Sequence, residues 1–392
     1  MLTTDEGLDT QGAVRRANLR RALQLVFLNS GAQTRAGIAR ATGLTAATAS
    51  SLVAELIESR LVAEGEQAAS TGGKRATTLS VDAGHHLILV LVIQPLRANL
   101  VLVALDGTPV ASRRVDYTEA TRDKILDEVV TSVVTEFGDR LLAAGVQLPG
   151  TTDGRVVLES VQLGWESVPL AERFEHVLSV PVLLVNDVDA EAVAEAGLEE
   201  APSGYRLFIH LGGGVGAAVT LDGELAPGPR DRAGEIGHVQ VVFGDSARVC
   251  RCGQRGCLES AASLEAMLGD QFSDALDVSE ICALVASANG GDVDEGARAL
   301  ARAIKLISAL LDPTEVVIGG PAAHLGARFL DRVRQESEYP ARGTAQVPIR
   351  YADPRASLAA GAAQAVLTSV LGVRWNPQQL RAVSPSVSAS PD

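Results

Sequence analysis

The chain of 392 residues has no run of about 20 apolar residues, the length that a helix needs to cross a membrane. Its opening segment, MLTTDEGLDTQGAVRR, lacks the apolar core of a secretory signal peptide. Cysteine is scarce, and three of the four cysteines lie in one cluster, which fits a reducing compartment. We therefore expect a soluble cytoplasmic protein with no membrane partner, long enough for two or three domains.

The sequence also lacks a general excess of positive charge. Its formal net charge is −14, which argues against a protein that coats nucleic acid with its whole surface. The charge is uneven, however, because residues 11–80 hold nine basic and four acidic side chains. A basic head before an acidic body is typical of a DNA-reading module joined to a ligand-binding domain.

Helical spacing of apolar residues predicts helices over 14–29 and 46–59. Thr34 and Thr45 stand where a second and a third helix would begin, and threonine is a good N-cap residue. A turn through Gly43 joins these two helices, so the sequence predicts a helix-turn-helix. The runs LVAEG and ATTLSV, separated by a Ser/Gly-rich tip, then predict a β-hairpin wing.

The exposed face of the third helix carries small side chains that can enter the major groove of DNA. Basic residues of the second helix and of the wing tip can contact phosphates. The alternative is a three-helix bundle used only for packing, and the hydrogen-bonding groups on the exposed face argue against it. The predicted DNA contacts are Arg35, Thr45, Ala47, Thr48, Ser51, Lys74 and Arg75.

One histidine and three cysteines lie within the stretch GEIGHVQVVFGDSARVCRCGQRGCLE, residues 234–259. An imidazole with three thiolates suits a tetrahedral structural zinc. The cysteines could instead be small buried hydrophobes or part of a disulfide framework. Polar neighbours argue against the first alternative, and the lack of an even pairing argues against the second. We predict a zinc site formed by His238, Cys250, Cys252 and Cys257.

Glu235 and Glu259 bracket this predicted metal site. Each alone is typical of a solvated surface charge, but carboxylates on a metal-stabilised loop can accept hydrogen bonds from the hydroxyls of a polar ligand. GEIGH followed by CRCGQRGCLE resembles the signature of the ROK family, which contains bacterial sugar kinases and sugar-responsive repressors. The segment TRAGIARATGLTAATASSLVAELIESRLV also resembles the winged head of ROK repressors, and the likeness extends over nearly the whole chain.

After residues 82–84 the body continues with three β-rich runs, a helix over 122–137 and the buried strand LLAAGVQL. A second, similar set follows from YRLFIHL onward. The resemblance implies two halves of a duplicated actin-like (ribonuclease-H-like) α/β fold. We therefore expect a winged helix-turn-helix in 1–80 and a two-lobed ROK sugar-binding body in 81–373, with a cleft between the lobes. The Pro/Ser-rich residues 374–392 are expected to be disordered.

Asn186 and Asp187 follow a short predicted strand, at the kind of strand end where α/β sheets place ligands. By themselves they are better explained as a turn that caps the next helix. In ROK kinases the aspartate of such a pair is the general base that deprotonates the sugar hydroxyl. Gln162 replaces an asparagine that is frequent in the family, which bears on ligand size or selectivity. The resemblance implies sugar contacts at Asn186, Asp187, Glu235, His238 (through the nitrogen that does not bind zinc) and Glu259.

The two phosphate-binding loops of ROK kinases are altered in this chain. The stretch corresponding to the first loop, VLVIQPLRANLV, has neither glycine nor acid, and Pro95 has no N–H donor. The second loop keeps its glycines at 212–216, but Gly213 stands where kinases usually have threonine. A tight hairpin would need the same glycines, so they are weak support for ATP binding.

These observations favour a sugar-responsive DNA-binding regulator that represses carbohydrate-utilisation genes, with Asp187 as a vestigial base and no enzymatic activity. Its expected partners are a palindromic operator DNA and a monosaccharide or sugar-phosphate effector, and it would act as a homodimer or a dimer of dimers. Two alternatives stay open. One is an ATP-dependent sugar kinase with an added DNA-binding head, and the other is a regulator controlled by a protein partner.

Overall fold

The structure of the protein is a computed structural model. It describes residues 10–67, 76–199, 202–226, 228, 233–273, 276, 278–288, 290–338, 346–354, 356 and 358–382. The chain divides into two compact units: Met1–Ala190 with Gly197–Glu200 and Arg355–Asp392, and Glu191–Ala196 with Ala201–Pro354. Within the described ranges, no helix combines the length and the apolar character of a membrane span.

The first unit opens with a small helical module, residues 10–81, which we call the head. Its elements are α1 (Thr10–Leu28), β1 (Gln33–Thr34), α2 (Arg35–Thr42), α3 (Ala46–Glu58), β2 (Val62–Gln67) and β3 (Thr77–Val81). The hydroxyls of Thr34 and Thr45 accept from the backbone N–H groups of Gly37 and Thr48, as expected of N-caps. The strands pair in the order β1-β3-β2, so the predicted winged helix-turn-helix is confirmed.

A five-stranded sheet forms the centre of the rest of the first unit. Its strands lie in the order β11-β7-β4-β5-β6, with β4, β5 and β6 antiparallel and β7 and β11 parallel to β4. β8, β9 and β10 make a separate antiparallel sheet. The elements are β4 (Leu87–Gln94), β5 (Arg97–Ala104), β6 (Pro109–Asp116), α4 (Arg122–Phe137), β7 (Leu141–Leu148), β8 (Thr151–Thr152), β9 (Val157–Ser160), β10 (Trp165–Val168), α5 (Leu170–Leu178), β11 (Val182–Asn186) and α6 (Asp187–Ala196). Only the start of α6, up to Ala190, belongs to the first unit.

The second unit repeats this plan. Its sheet has the order β14-β13-β12-β15-β16, with an antiparallel meander followed by two parallel strands. The matching order confirms the predicted duplication. The elements are β12 (Tyr205–Leu211), β13 (Val215–Leu221), β14 (Glu224–Leu225), α7 (Glu259–Ala262), α8 (Leu264–Leu268), α9 (Val278–Ser287), α10 (Gly290–Leu311), β15 (Glu315–Gly319), α11 (Gly326–Ser337) and β16 (Ile349–Tyr351).

Two helices complete the first unit, and the second corrects a prediction. They are α12 (Leu358–Leu371) and α13 (Pro377–Ala382). Disorder was expected throughout 374–392, yet Trp375 and Leu380 are buried, with 4% and 1% of their surfaces exposed. The Pro/Ser-rich composition belongs to the residues beyond 382, which lie outside the described residues. The prediction was wrong for 374–382 because one indole and one leucine there bury enough apolar surface to fix the chain.

Candidate functional site

The predicted metal ligands come together in the second unit. His238 ends a 3-10 turn, Ile236–His238, and the cysteines follow on a loop folded by backbone hydrogen bonds. The N–H of Cys250 donates to the carbonyl of Gln254 at 2.7 Å, and the N–H of Gly256 donates to that of Arg248 at 2.8 Å. These bonds reverse the chain between the second and third cysteine. As a result, the ligand atoms of His238, Cys250, Cys252 and Cys257 all lie within 4.8 Å of one another.

The spacing of these atoms fits one tetrahedral ion. Four ligands at zinc distances stand about 3.4–3.8 Å apart. The Sγ of Cys250 lies 3.6 Å from Nδ1 of His238, and the Sγ atoms of Cys252 and Cys257 are 3.7 Å apart. The cluster can therefore hold a metal with only a small contraction of its widest pair. Nδ1 of His238 faces the thiols, which leaves Nε2 as the nitrogen for another partner.

The thiols of the cluster differ in acidity. Burial, followed by the hydrogen bond with Cys252, raises the pKa of Cys257 to about 12, and burial also raises the pKa of Cys250. A hydrogen bond from the Gln254 backbone lowers the pKa of the exposed Cys252. Burial thus favours the protonated thiols of Cys250 and Cys257 when no cation is bound. A coordinated cation would reverse this, because a metal-bound thiol is deprotonated.

The turn that carries Cys257 depends on Gly256. This glycine has φ +77°, and a β-carbon there would lie 1.9 Å from the carbonyl oxygen of Val242. Gly253 also has positive φ, +86°, but no atom lies within 4 Å of the place where its β-carbon would be. The two positions therefore form a matched pair for mutation.

We expect Gly256→Ala to lower both the thermal stability and the metal content of purified protein, because the turn must move to relieve the contact. Gly253→Ala should cost only the left-handed conformation, about 1–2 kcal/mol, and keep its metal. Thermal unfolding and elemental analysis of the two variants measure the difference. Equal losses in both would show that the contact with Val242 does not hold the turn.

Glu259, at the start of α7, is one of the predicted sugar ligands and is 8% exposed. Its Oε2 accepts from the N–H of Val215 at 3.1 Å, and its Oε1 pairs with Nε of Arg251 at 2.8 Å. The carboxylate is therefore fixed in place by a strand backbone and a guanidinium. Each carboxylate oxygen can accept more than one hydrogen bond, so a ligand hydroxyl could share it.

Arg251 is a residue that the sequence reasoning missed. Besides Glu259, its Nη2 donates to the carbonyl of Gly213 at 2.6 Å, so it ties the cysteine loop to the glycine turn between β12 and β13. Its position between two predicted metal ligands was a usable signal, because a loop held by an ion brings the intervening side chain to a fixed place. Glu235 lies in the same unit and has an exposed side chain.

Asn186 and Asp187 lie in the first unit, where β11 gives way to α6. The Oδ1 of Asn186 accepts from the N–H groups of Val188 and Asp189, at 2.8 and 3.1 Å, and its Nδ2 donates to the carbonyl of Gly150 at 2.8 Å. Asn186 is therefore the N-cap of α6, which was the alternative explanation of this pair. The cap leaves one N–H of Asn186 for a ligand and places the half-buried Asp187 in the first turn of the helix.

The turn predicted to correspond to the first kinase phosphate loop is short and closed. β4 and β5 meet in a hairpin with Gln94 opposite Arg97, so that only two residues form the turn. Tyr117 braces it: its hydroxyl makes hydrogen bonds with the carbonyls of Gln94 and Arg97, and its N–H donates to that of Leu96. A loop of this length, with a proline in it, has little backbone N–H to offer a phosphate.

The head presents some of the predicted DNA contacts. On α3 and its cap, Thr45, Ala47 and Ser51 are exposed and Thr48 is half-buried. Arg35 pairs with Glu64 of β2 at 2.6 Å, a partner that the sequence reasoning did not foresee. Lys74 and Arg75 lie outside the described residues.

The chain is similar to known proteins both in sequence and in structure. The sequence profile of the ROK family matches residues 96–366. The putative xylose repressor of Caldicellulosiruptor sp. (strain Rt8B.4) is 28% identical over 333 residues, which cover 77% of this chain and 82% of that protein. The crystal structure of a ROK family transcriptional regulator, a homolog of the E. coli MLC protein, matches with a TM-score of 0.70 at 21% identity, over 94% of this chain and 97% of that one.

A kinase structure matches a smaller share of the chain. The ROK hexokinase from Thermus thermophilus has a TM-score of 0.57 and 24% identity, and the match covers 71% of this chain and 96% of the kinase. The likeness in fold thus extends to the head for the regulator and stops short of the full chain for the enzyme. With its profile match spanning well over half of its length, the chain belongs to the ROK family.

Proposed function

We propose that this ROK protein is a sugar-responsive transcriptional repressor. The observation that carries the proposal is the winged helix-turn-helix of residues 10–81 joined to a ROK body in one chain. Relatives named as xylose repressor and N-acetylglucosamine repressor support it. Because operator DNA lies in the cytoplasm of a bacterium, we place the protein's action there.

The head reads DNA with α3. Small exposed side chains at Thr45, Ala47 and Ser51 allow the helix to approach base edges in the major groove. Thr48 hydrogen-bonds with Thr45 at 2.8 Å, so its hydroxyl is held near the same face. Phosphates would be contacted by Arg35 and, from the wing tip, by Lys74 and Arg75. A palindromic operator would engage the heads of two copies.

The ion pair between Arg35 and Glu64 gives a test of the phosphate contact. We expect Arg35→Ala to weaken binding to every DNA sequence alike and to lower the salt slope by about one unit. Glu64→Gln should strengthen binding, because it removes the carboxylate that competes with phosphate for the same guanidinium. Fluorescence anisotropy over a salt series, with an operator selected from random DNA, measures both.

The exposed pair of Lys124 and Glu128 on α4 provides the control. Lys124→Ala changes the net charge by the same amount as Arg35→Ala and should leave the salt slope unchanged. Thr48→Ala should instead change which bases the selection recovers. Operator binding that survives deletion of residues 1–80 would contradict the assignment of the head.

The effector is proposed to be a monosaccharide or a sugar phosphate. Polyol recognition needs fixed acceptors and donors, and the carboxylate of Glu259 and the capped Asn186 are such groups. Asp187, Glu235 and Nε2 of His238 would contribute the remaining contacts with hydroxyls. A regulator controlled by a protein partner would not need buried, preorganised acceptors of this kind.

The metal is proposed to be zinc with a structural role. Three sulfurs and one nitrogen are the donor set that zinc prefers, and four protein ligands leave no open position for catalysis. Holding the cysteine loop would also hold Arg251, and through it the carboxylate of Glu259. The metal thus stabilises one side of the proposed sugar site without touching the sugar.

We propose that the protein does not transfer phosphate. Phosphoryl transfer depends mainly on positioning and on neutralising the charge of the phosphoryl group. The two-residue turn braced by Tyr117 and the glycine at position 213 provide little for either task. ROK kinases share the fold of the body, so this proposal depends on the loops and not on the architecture.

A further inference from the structure

The segment from Val373 to Leu380, which we call the clasp, contacts separate parts of the first unit. Val373, Trp375 and Leu380 are buried. Asn376 caps α13, since its Oδ1 accepts from the N–H groups of Gln378 and Gln379 at 3.0 and 2.9 Å. The clasp is therefore a packed and hydrogen-bonded part of the first unit.

The first contact of the clasp is with the head. The Oε1 of Gln24 on α1 accepts from the N–H of Arg374 at 2.7 Å, and its Nε2 donates to the carbonyl of the same residue at 3.0 Å. One side chain thus satisfies both backbone groups of Arg374, as a neighbouring strand would. One turn earlier on α1, the side chain of Arg20 lies so close to Gly372 that a β-carbon there would be 2.9 Å from Cδ.

The second contact is with the β5–β6 turn of the body. The indole Nε1 of Trp375 donates to the carbonyl of Leu105 at 2.7 Å. Gly107, in the same turn, approaches α13 so closely that a β-carbon would lie 2.2 Å from the carbonyl oxygen of Gln379. A buried tryptophan with its N–H satisfied is a strong anchor.

The third contact is with α12. The side chain of Gln364, 4% exposed, accepts from the N–H of Trp375 at 2.9 Å and donates to the carbonyl of Val373 at 3.3 Å. Three residues earlier on α12, Gly361 packs against α6, where a β-carbon would be 1.8 Å from the carbonyl oxygen of Ala190. Ala190 is less than one turn beyond Asp187. Close contacts therefore lead from the proposed sugar residues through α12 and the clasp to α1.

We propose that the clasp fixes the orientation of the head. We further propose that the effector changes operator affinity by altering the hydrogen bonds between the clasp and Gln24. The second of these statements rests on the proposed function, and the first does not. Two heads bind a palindrome tightly only when their separation matches the half-site spacing. A fixed head therefore discriminates between spacings, and a loosened head tolerates several.

The test uses the full chain with Gln24→Leu, which keeps the volume of the side chain and removes both hydrogen bonds. Gln378→Leu is the matched control, because Gln378 lies on α13 with an exposed side chain. In the absence of sugar, we expect Gln24→Leu to raise the exchange rate of the Arg374 amide about tenfold or more, as loss of its acceptor requires. We expect the control to exchange like the parent.

The second readout is the spacing of the operator. The parent should bind a selected operator about tenfold more tightly than the same half-sites moved apart by about two base pairs, and Gln24→Leu should lose most of this preference. Unchanged Arg374 exchange together with an unchanged spacing preference would overturn the proposal. A merely structural role of Gln24 would lower stability without changing the ratio between spacings.

Measurements in the presence of sugar distinguish the proposal on the clasp from the proposed function. Gln24→Leu should bind sugar like the parent while its operator affinity no longer responds to sugar. If the parent itself fails to respond to any sugar, the proposed effector is wrong, and amide exchange and spacing still decide the role of the clasp. Trp375→Phe, which loses the bond to Leu105 and keeps an aromatic ring, provides the same readouts should Gln24→Leu not fold.

Discussion

Replacing Cys252 with alanine is expected to reduce the zinc content of the purified protein from one ion per chain to nearly none. Three remaining ligands cannot close a tetrahedral structural site, and Cys252 is the thiol with the lowered pKa, the one most readily available as thiolate. Its exposure in the folded chain also means that the substitution removes little apolar packing. The loss should therefore report on the metal and not on the core.

Loss of the ion should destabilise the second unit and disorder Glu235 and Glu259, the carboxylates that are proposed to contact the sugar. The free energy of metal binding to a structural site contributes directly to the stability of the fold. We expect the free energy of unfolding to fall by about 2 kcal/mol or more, which lowers Tm by ~4–8 °C for a unit of this size. Backbone links of the loop, among them the bridges of Gln240 with Cys257 and of Val249 with Arg255, do not join the four ligand side chains as an ion would. The sugar response should fail with the loop, because Arg251 no longer holds Glu259.

Elemental analysis, thermal unfolding and sugar titration measure the three effects. Cys282→Ala is the matched control, since Cys282 is an exposed cysteine of α9 outside the cluster. It should keep both its zinc and its stability. Absence of zinc from freshly purified parent protein would contradict the proposed zinc site, whatever the variants show.

The helices and strands of the body were largely predictable because each carries its own periodicity. The helix over 122–137 and the strand LLAAGVQL were placed correctly, since the helical spacing of apolar residues and a short continuous apolar run are local properties of the sequence. The apolar spacing over 258–268 would by itself predict one helix, but the structure has two short helices there, because Ser263 leaves the helical path and caps the second one. The sequence alone does not show whether a serine inside an apolar pattern continues a helix or caps a new one.

The partners of polar side chains could not be predicted, because they come from distant parts of the chain. Gln24 and Arg374 are separated by 350 positions, and nothing in either local sequence indicates the other. The pairing of Arg35 with Glu64, 29 positions apart, has the same origin. The cysteine cluster was the exception, since its short spacing leaves little choice of partner.

The largest chemical consequence concerns Asp187, which should bind sugar without serving as a base. In a kinase this carboxylate would take the proton of the attacking hydroxyl, a contribution of about 10²–10⁴-fold. It lies in the first turn of α6, where its Oδ1 accepts from the N–H of Val188 at 3.0 Å. A carboxylate at this place can accept a hydrogen bond from a sugar hydroxyl even when no phosphate is bound.

We expect Asp187→Asn to weaken sugar binding by about 10–150-fold, the loss of a charge-assisted hydrogen bond worth ~1.5–3 kcal/mol. Induction should weaken in proportion. Asp139→Asn is the control, because Asp139 is an exposed aspartate in the 3-10 turn Gly138–Arg140 of the same unit. Titration calorimetry with the sugar that stabilises the parent most in a thermal screen gives the affinities.

The same proteins in a coupled assay with ATP, Mg²⁺ and that sugar decide between regulator and kinase. We expect no turnover above background in the parent, since the turn between β4 and β5 is closed by Tyr117 and has no glycine to bring backbone N–H groups to a phosphate. Asp187→Asn would then weaken sugar binding without any loss of turnover. Turnover in the parent that disappears in Asp187→Asn but persists in Asp139→Asn would instead make Asp187 a working base and the protein a kinase with a DNA-binding head.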